Sequence, residues 1–100
     1  MSITIEENHL LLIRKILANS DFRDAAVYIF GSRATGKARQ YSDLDIAVDN
    51  FGQPLPPRTL LRLSIDFDNS LLPYKVDVVD LNNISPEFQS IIKKDLVRFN

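Results

Sequence analysis

The chain has no cysteine, so neither a disulfide frame nor a thiolate metal site is open to it. It has one histidine, His9; with no second imidazole to join it, an exposed or half-packed helix residue is the preferred reading over a metal ligand or general base. The formal net charge is only −1, which gives no general drive toward nucleic acid or an anionic membrane. Any phosphate must therefore be bound by local placement of charge. No apolar run approaches the length of a membrane span and the N-terminus lacks a secretory pattern, which predicts a cytoplasmic protein. Internal repeats, low-complexity tracts and interdomain linkers are likewise missing. What is present is an ordinary globular balance, 45% apolar and 25% charged, over 100 residues. That predicts one domain over residues 1–100, large enough for a core but too small for a separate substrate domain. A partner, or a second copy of the chain, is left to supply what is missing.

The informative stretch runs from Gly31 to Val48, GSRATGKARQYSDLDIAV. Val27 to Phe30 reads as a buried strand, and Gly31 lets the backbone turn where it ends. Ser32 then opens a short turn or helix whose hydroxyl and following amides suit a phosphate. After ten intervening residues come Asp43 and then Asp45, at the head of a second apolar run. On a strand, residues at i and i+2 share a face, so the two carboxylates converge while Leu44, Ile46 and Val48 point to the other side. Side-by-side carboxylates repel unless a cation lies between them, and magnesium is the readiest candidate. Anion donors and metal-binding acids within one short stretch could hold a nucleoside triphosphate with its magnesium.

Around this stretch the chain alternates helix and strand. Thr4 with Glu7 fits a capping box for a first helix over residues 5–18, followed by a polar exit at residues 19–23 and a strand at residues 25–30. The second strand spans residues 43–49. Asn50 to Pro57, with one glycine and three prolines, reads as a loop. Leu60, Leu63, Phe67 and Leu71 mark a second helix that begins at Pro57 or Arg58 and precedes Pro73; Asp66 and Asp68 on it read as solvated surface charges. The third strand covers residues 74–81, and Asp77 in its middle is costly unless paired or bound to metal. Asp80 lies on the other face near the strand end, where turn chemistry suits it. Ser85 and Pro86 open a last helix with Phe88, Ile91, Ile92 and Leu96 on its apolar face, while Lys93, Lys94 and Arg98 complement its dipole. The order predicts an α/β fold, a small mixed sheet of three to four strands with helices on one face and the acids on the open one. The first two strands are expected to be antiparallel neighbours.

Gly31-Ser32, ten residues, Asp43-x-Asp45 resembles the signature of the DNA polymerase beta-like nucleotidyltransferases, and the fuller strings GSRATGK and SDLDIAV are similar to their smallest members, the minimal nucleotidyltransferases. The resemblance implies that Asp43, Asp45 and Asp77 form a catalytic acidic triad holding two magnesium ions, with Asp77 the third acid on the following strand. It implies ATP as substrate, with Gly31 and Ser32 on the triphosphate. Arg33, Lys37, Arg39 and Ser42 complete the candidate nucleotide contacts, solvated loop cations being an equal alternative for the three bases. It further implies an all-helical HEPN-type protein partner, which such antitoxins modify with AMP. Transfer to a small molecule such as an aminoglycoside, and neutralisation of the partner by contact alone, are the competing readings.

Overall fold

The computed structural model describes residues 5–20 and 24–100. Its centre is an antiparallel pair, β1 (Ala26–Phe30) and β2 (Leu44–Asp49), with Ala26 opposite Asp49 and Phe30 opposite Asp45. Between them lies a single helical turn, α2 (Ser32–Thr35). The helix α1 (Glu7–Ala18) precedes β1, and α3 (Pro57–Asp68) carries the chain from β2 to β3 (Val76–Asp80). That crossover makes β3 parallel to β2, with Asp45 directly opposite Asp77. After α4 (Pro86–Lys93), a two-residue strand β4 (Val97–Arg98) pairs with β1, giving the sheet order β3-β2-β1-β4.

Alternation decides which face is buried. Val27 and Ile29 of β1 and Leu44, Ile46 and Val48 of β2 pack against Ile13 and Leu17 of α1 and Leu63 and Phe67 of α3 in the main core. Burying each of these large side chains is worth roughly 1.5–3 kcal/mol, enough for this layer to dominate stability. The opposite face has its own smaller cluster, in which Ile92 of α4 packs on Phe30, Ala47 and Leu81. The acid-bearing face, expected to be open, is thus covered at one end by α4. Phe30 and Ala47 share that face with Asp45 and need apolar cover, a demand that the acids alone did not reveal.

Several boundaries shift. Thr4 lies outside the described residues; Glu6 takes the N-cap position of α1 and makes no side-chain cap bond. Of the expected polar exit, Asn19 and Ser20 close the helix on the carbonyls of Lys15 and Leu17, and residues 21–23 fall outside the described part. Asp43 precedes β2 rather than beginning it, because the ladder to the third strand starts where the Leu44 amide donates to Lys75. Leu71 lies beyond α3, which ends at Asp68, and is highly exposed rather than part of the apolar stripe. Pro57 at the start of α3 and Ser85, whose hydroxyl accepts from the Phe88 amide at 3.2 Å, cap as expected. β4 was not foreseen. Two residues carry no periodicity, and its place is fixed by Phe99 donating to Val27 and by the Asn100 side chain bridging Ala25 and Val27.

Candidate active site

The site is a row of paired positions across the sheet. Phe30, Asp45 and Asp77 lie side by side on β1, β2 and β3, so their side chains share one face. Asp43, two residues before Asp45, is exposed at the end of the preceding loop. Burial, then the carboxylate of Asp77, then that of Asp43 push the Asp45 pKa up from its ordinary 3.8. Asp45 thus feels both of the other acids.

Gly31 follows Phe30 and so abuts the same row. Its φ is 75°, in the region that L side chains rarely adopt, and a Cβ placed there would collide with the Asp45 carboxylate. The glycine is required twice, by its backbone angle and by the carboxylate packed against it. Ala34 and Thr35 donate their amides to the Gly31 carbonyl, so Ser32, next to the glycine that Asp45 abuts, sits ahead of the first internal bonds of α2.

The loop residues divide. Arg33 is not a solvated cation. Only 4% exposed, it donates from Nε and Nη2 to the Ser42 carbonyl at 3.1 and 2.8 Å and from Nη2 to the Gln40 carbonyl at 3.2 Å. Its guanidinium also lies 3.9 Å from the centre of the Tyr74 ring. The Ser42 hydroxyl accepts from the Arg39 amide at 2.8 Å, a local turn. Lys37 and Arg39 are exposed. Arg39 borders a cavity of about 620 Å³ beside the start of α1, where His9 Nδ1 and the Tyr74 hydroxyl are 3.2 Å apart; none of the three acids lines it.

A second cleft, of about 520 Å³, brings two of the three acids together. Asp45, Asp77 and Phe30 line it together with Ser64 and Asp68 of α3 and Phe88 of α4. Asp68 is exposed, as expected of a surface charge, and also borders this cleft, whereas Asp66 lies 3.9 Å from Arg62 one turn away. The signal for Asp68 was its spacing from Ser64, which puts both on one helical face. Asp80, buried, accepts from the amides of Leu55 at 2.7 Å and Asn82 at 3.0 Å. It performs the turn chemistry expected of it and anchors the proline-rich loop.

Among the described residues no three acidic or histidine side chains close into a metal cage, and Asp77 Oδ1 lies 3.4 Å from Lys75 Nζ. The donor set nonetheless fits magnesium, which takes hard oxygens and is commonly held by one or two carboxylates with substrate phosphates. A divalent cation beside Asp45 would offset the burial and the carboxylate repulsion that raise its pKa.

A family model described as polymerase beta, nucleotidyltransferase matches residues 6–98. The chain belongs to the polymerase beta nucleotidyltransferase family. This nucleotidyltransferase is 38% identical over 92 residues, 92% of its length and 79% of the relative's, to a protein of Haemophilus influenzae named as a probable protein adenylyltransferase, MntA. Its fold matches a crystal structure of a toxin-antitoxin with AMP-PNP at a TM-score of 0.71 and 26% identity, covering 91% of this chain and 72% of that one. A mutant of the toxin-antitoxin MntA-HpeT matches at 0.68 and 27% identity, covering 94% and 71%. No helix among the described residues of the nucleotidyltransferase is long and apolar enough to cross a membrane.

Proposed function

We propose that this nucleotidyltransferase moves AMP from ATP to a hydroxyl on a HEPN-type helical protein, acting as the antitoxin of a pair. The observation that carries the reading is Asp45 in register with Asp77, beside a glycine turn that leaves no room for a side chain. The names of its relatives support it: one is a probable protein adenylyltransferase, and one matching structure is a toxin-antitoxin with an ATP analogue. A reaction that draws on ATP suits a cytoplasmic site of action.

In the reaction the acceptor oxygen forms a bond to the α-phosphorus of ATP, the bond from that phosphorus to the pyrophosphate oxygen breaks, and pyrophosphate leaves. Gly31 and Ser32 take the triphosphate, with Lys37 and Arg39 within the same loop as further candidate phosphate contacts. Asp77 is the base assigned to the hydroxyl proton. Two magnesium ions, held by Asp43, Asp45 and Asp77, would supply charge neutralisation on the phosphates and a lower pKa for the hydroxyl.

The test is the intact mass of the HEPN-type partner after incubation with the chain, magnesium and each nucleoside triphosphate in turn. A gain of one AMP, seen with ATP and lost with Asp43→Ala or Asp45→Ala, is the expected result. If the alanine variants still label the partner, the acids do not act as stated. If no label appears and those variants still neutralise the partner fully, contact alone is the mechanism.

A further inference from the structure

The outer edge of β3 borders the site and is open. Among the described residues the only strand paired with β3 is β2. The Lys75 carbonyl accepts from Leu44 and the Leu81 amide donates to Val48, so the odd-numbered residues of this strand bond inward to β2. By alternation the backbone groups of Val76 and Val78 point outward, away from the sheet. The cleft that holds Asp45 and Asp77 runs over this edge, since Val76 to Val79 also line it.

Exposed apolar residues lie on both shoulders of the edge. Ser64 and Asp68 of α3 face the cleft, and Leu61 and Ile65 share their stripe at i, i+3 and i+4 spacing yet are exposed. On the other side Phe88 lines the cleft, and exposed Ile91 follows it by three residues on α4. Exposed apolar residues on both sides of an open strand edge mark a place built to be covered.

We infer that the acceptor protein docks a segment lying between or beyond its helices, in extended form, on β3 as an added strand, with the hydroxyl-bearing residue opposite Asp77; this rests on the transfer reading above. Residues paired across adjacent strands share a face, so such a residue points onto the acid face beside Asp77. Its immediate neighbours point the other way, toward Leu61 and Ile65, and a residue two positions along meets Phe88 and Ile91. The segment is therefore a hydroxyl residue flanked on both sides by apolar ones. Backbone pairing supplies affinity and the alternating side chains supply selectivity. A strand bound there brings its hydroxyl from the side opposite Gly31 and Ser32, where the triphosphate is held.

The experiment uses the partner that the wild-type chain labels in the mass test. Val78→Pro removes an outward amide and leaves the β2 ladder intact; Leu61→Glu with Ile65→Glu spoils the α3 shoulder without touching the sheet. For each variant, kcat/KM for AMP transfer to the partner and the affinity of the chain alone for magnesium-ATP are measured. Transfer efficiency is expected to fall at least about tenfold with nucleotide affinity held within about twofold, and amide exchange at Val76 and Val78 slows when the partner binds wild type. Transfer at the wild-type rate in the glutamate pair, or unchanged exchange at β3, overturns the inference while leaving the transferase reading standing. Should Val78→Pro fail to fold, the glutamate pair and the exchange measurement decide. If the wild-type chain labels no partner, the transferase reading itself falls and this one with it. A dimer of the free chain that the glutamate pair dissociates, with transfer unimpaired, would mean that a second copy covers the edge and also overturns it.

Discussion

Asp45→Asn should stabilise the metal-free protein while crippling its activity. Asp45 sits mid-row with Asp77 directly across and Asp43 two residues before it, and half-buried. Burial penalises the charged carboxylate, and like charges opposed on adjacent strands add up to about 1 kcal/mol. For a chain of this size about 1 kcal/mol corresponds to roughly 4–8 °C in Tm. Asparagine keeps the shape, removes the charge and can donate to Asp77, so the variant is expected to melt several degrees higher in chelator near neutral pH. The sign of the pH dependence follows from the direction of the shift. A carboxyl whose pKa is raised in the folded state weakens folding most above that raised value, and the penalty vanishes as pH falls through it to the unfolded value near 3.8. The gap in Tm between variant and wild type should therefore close as the buffer is taken from neutral to about the unfolded pKa. Magnesium should raise the Tm of wild type by linkage and leave the variant nearly unmoved. Transfer should drop roughly 10³-fold, the scale of losing one preorganised charge-stabilising group. Thermal melts by circular dichroism across pH, with and without magnesium, check each statement. A variant that melts below wild type at neutral pH would refute the reasoning, because the acids would then be stabilised by partners rather than strained by one another.

Gly31→Ala places a methyl at φ 75° and against the Asp45 carboxylate, so a loss of about 1–2 kcal/mol in stability and a larger proportional loss of transfer are expected, read by melts and by the AMP mass assay. Asp80→Ala strands the amides of Leu55 and Asn82, buried carboxylate bonds at 2.7 and 3.0 Å; about 2–3 kcal/mol should be lost in denaturant titration, with magnesium-ATP affinity retained. Phe51 is exposed at φ 54° in the turn closed by Gln53 donating to Asn50, so Phe51→Asn should raise stability by about 1 kcal/mol, checked by the shift in denaturation midpoint.

Much of the site was legible because it is local. Gly31, Asp43 and Asp45 fall within one hairpin, and a period of two is enough to say which side chains share a face. Asp77 needed more: composition showed only that a charge in a strand of valines is costly, and the family resemblance supplied its role. The antiparallel pairing of β1 and β2 followed from a short connection, whereas the seat of α4 depended on Phe30 and Ala47, whose outward direction demanded cover that no pattern in α4 specified. Asp68 escaped for a related reason. Its position relative to Asp66 said that the two face apart, but which of them looks into the cleft is settled by the packing of α3 on β3.

Arg33 shows how the motif and the scaffold are joined. The string Gly-Ser-Arg reads as a phosphate grip with a cation attached, yet the arginine turns inward to hold the carbonyls of Gln40 and Ser42 and stacks on Tyr74. Ser42 immediately precedes Asp43, and Tyr74 lies three residues before Asp77, so one guanidinium ties together the two segments that deliver acids to the row. A lysine has a single ammonium and no planar fork, and cannot span both carbonyls while lying flat on the ring. Arg33→Lys is therefore expected to speed amide exchange through residues 37–43 and to lower kcat for transfer by about tenfold, the scale of slightly misplaced catalytic groups, with little change in KM for ATP. The opposite pattern, a raised KM for ATP with loop exchange unaltered, would mean that Arg33 serves the nucleotide directly and that some other contact holds Asp43 in line.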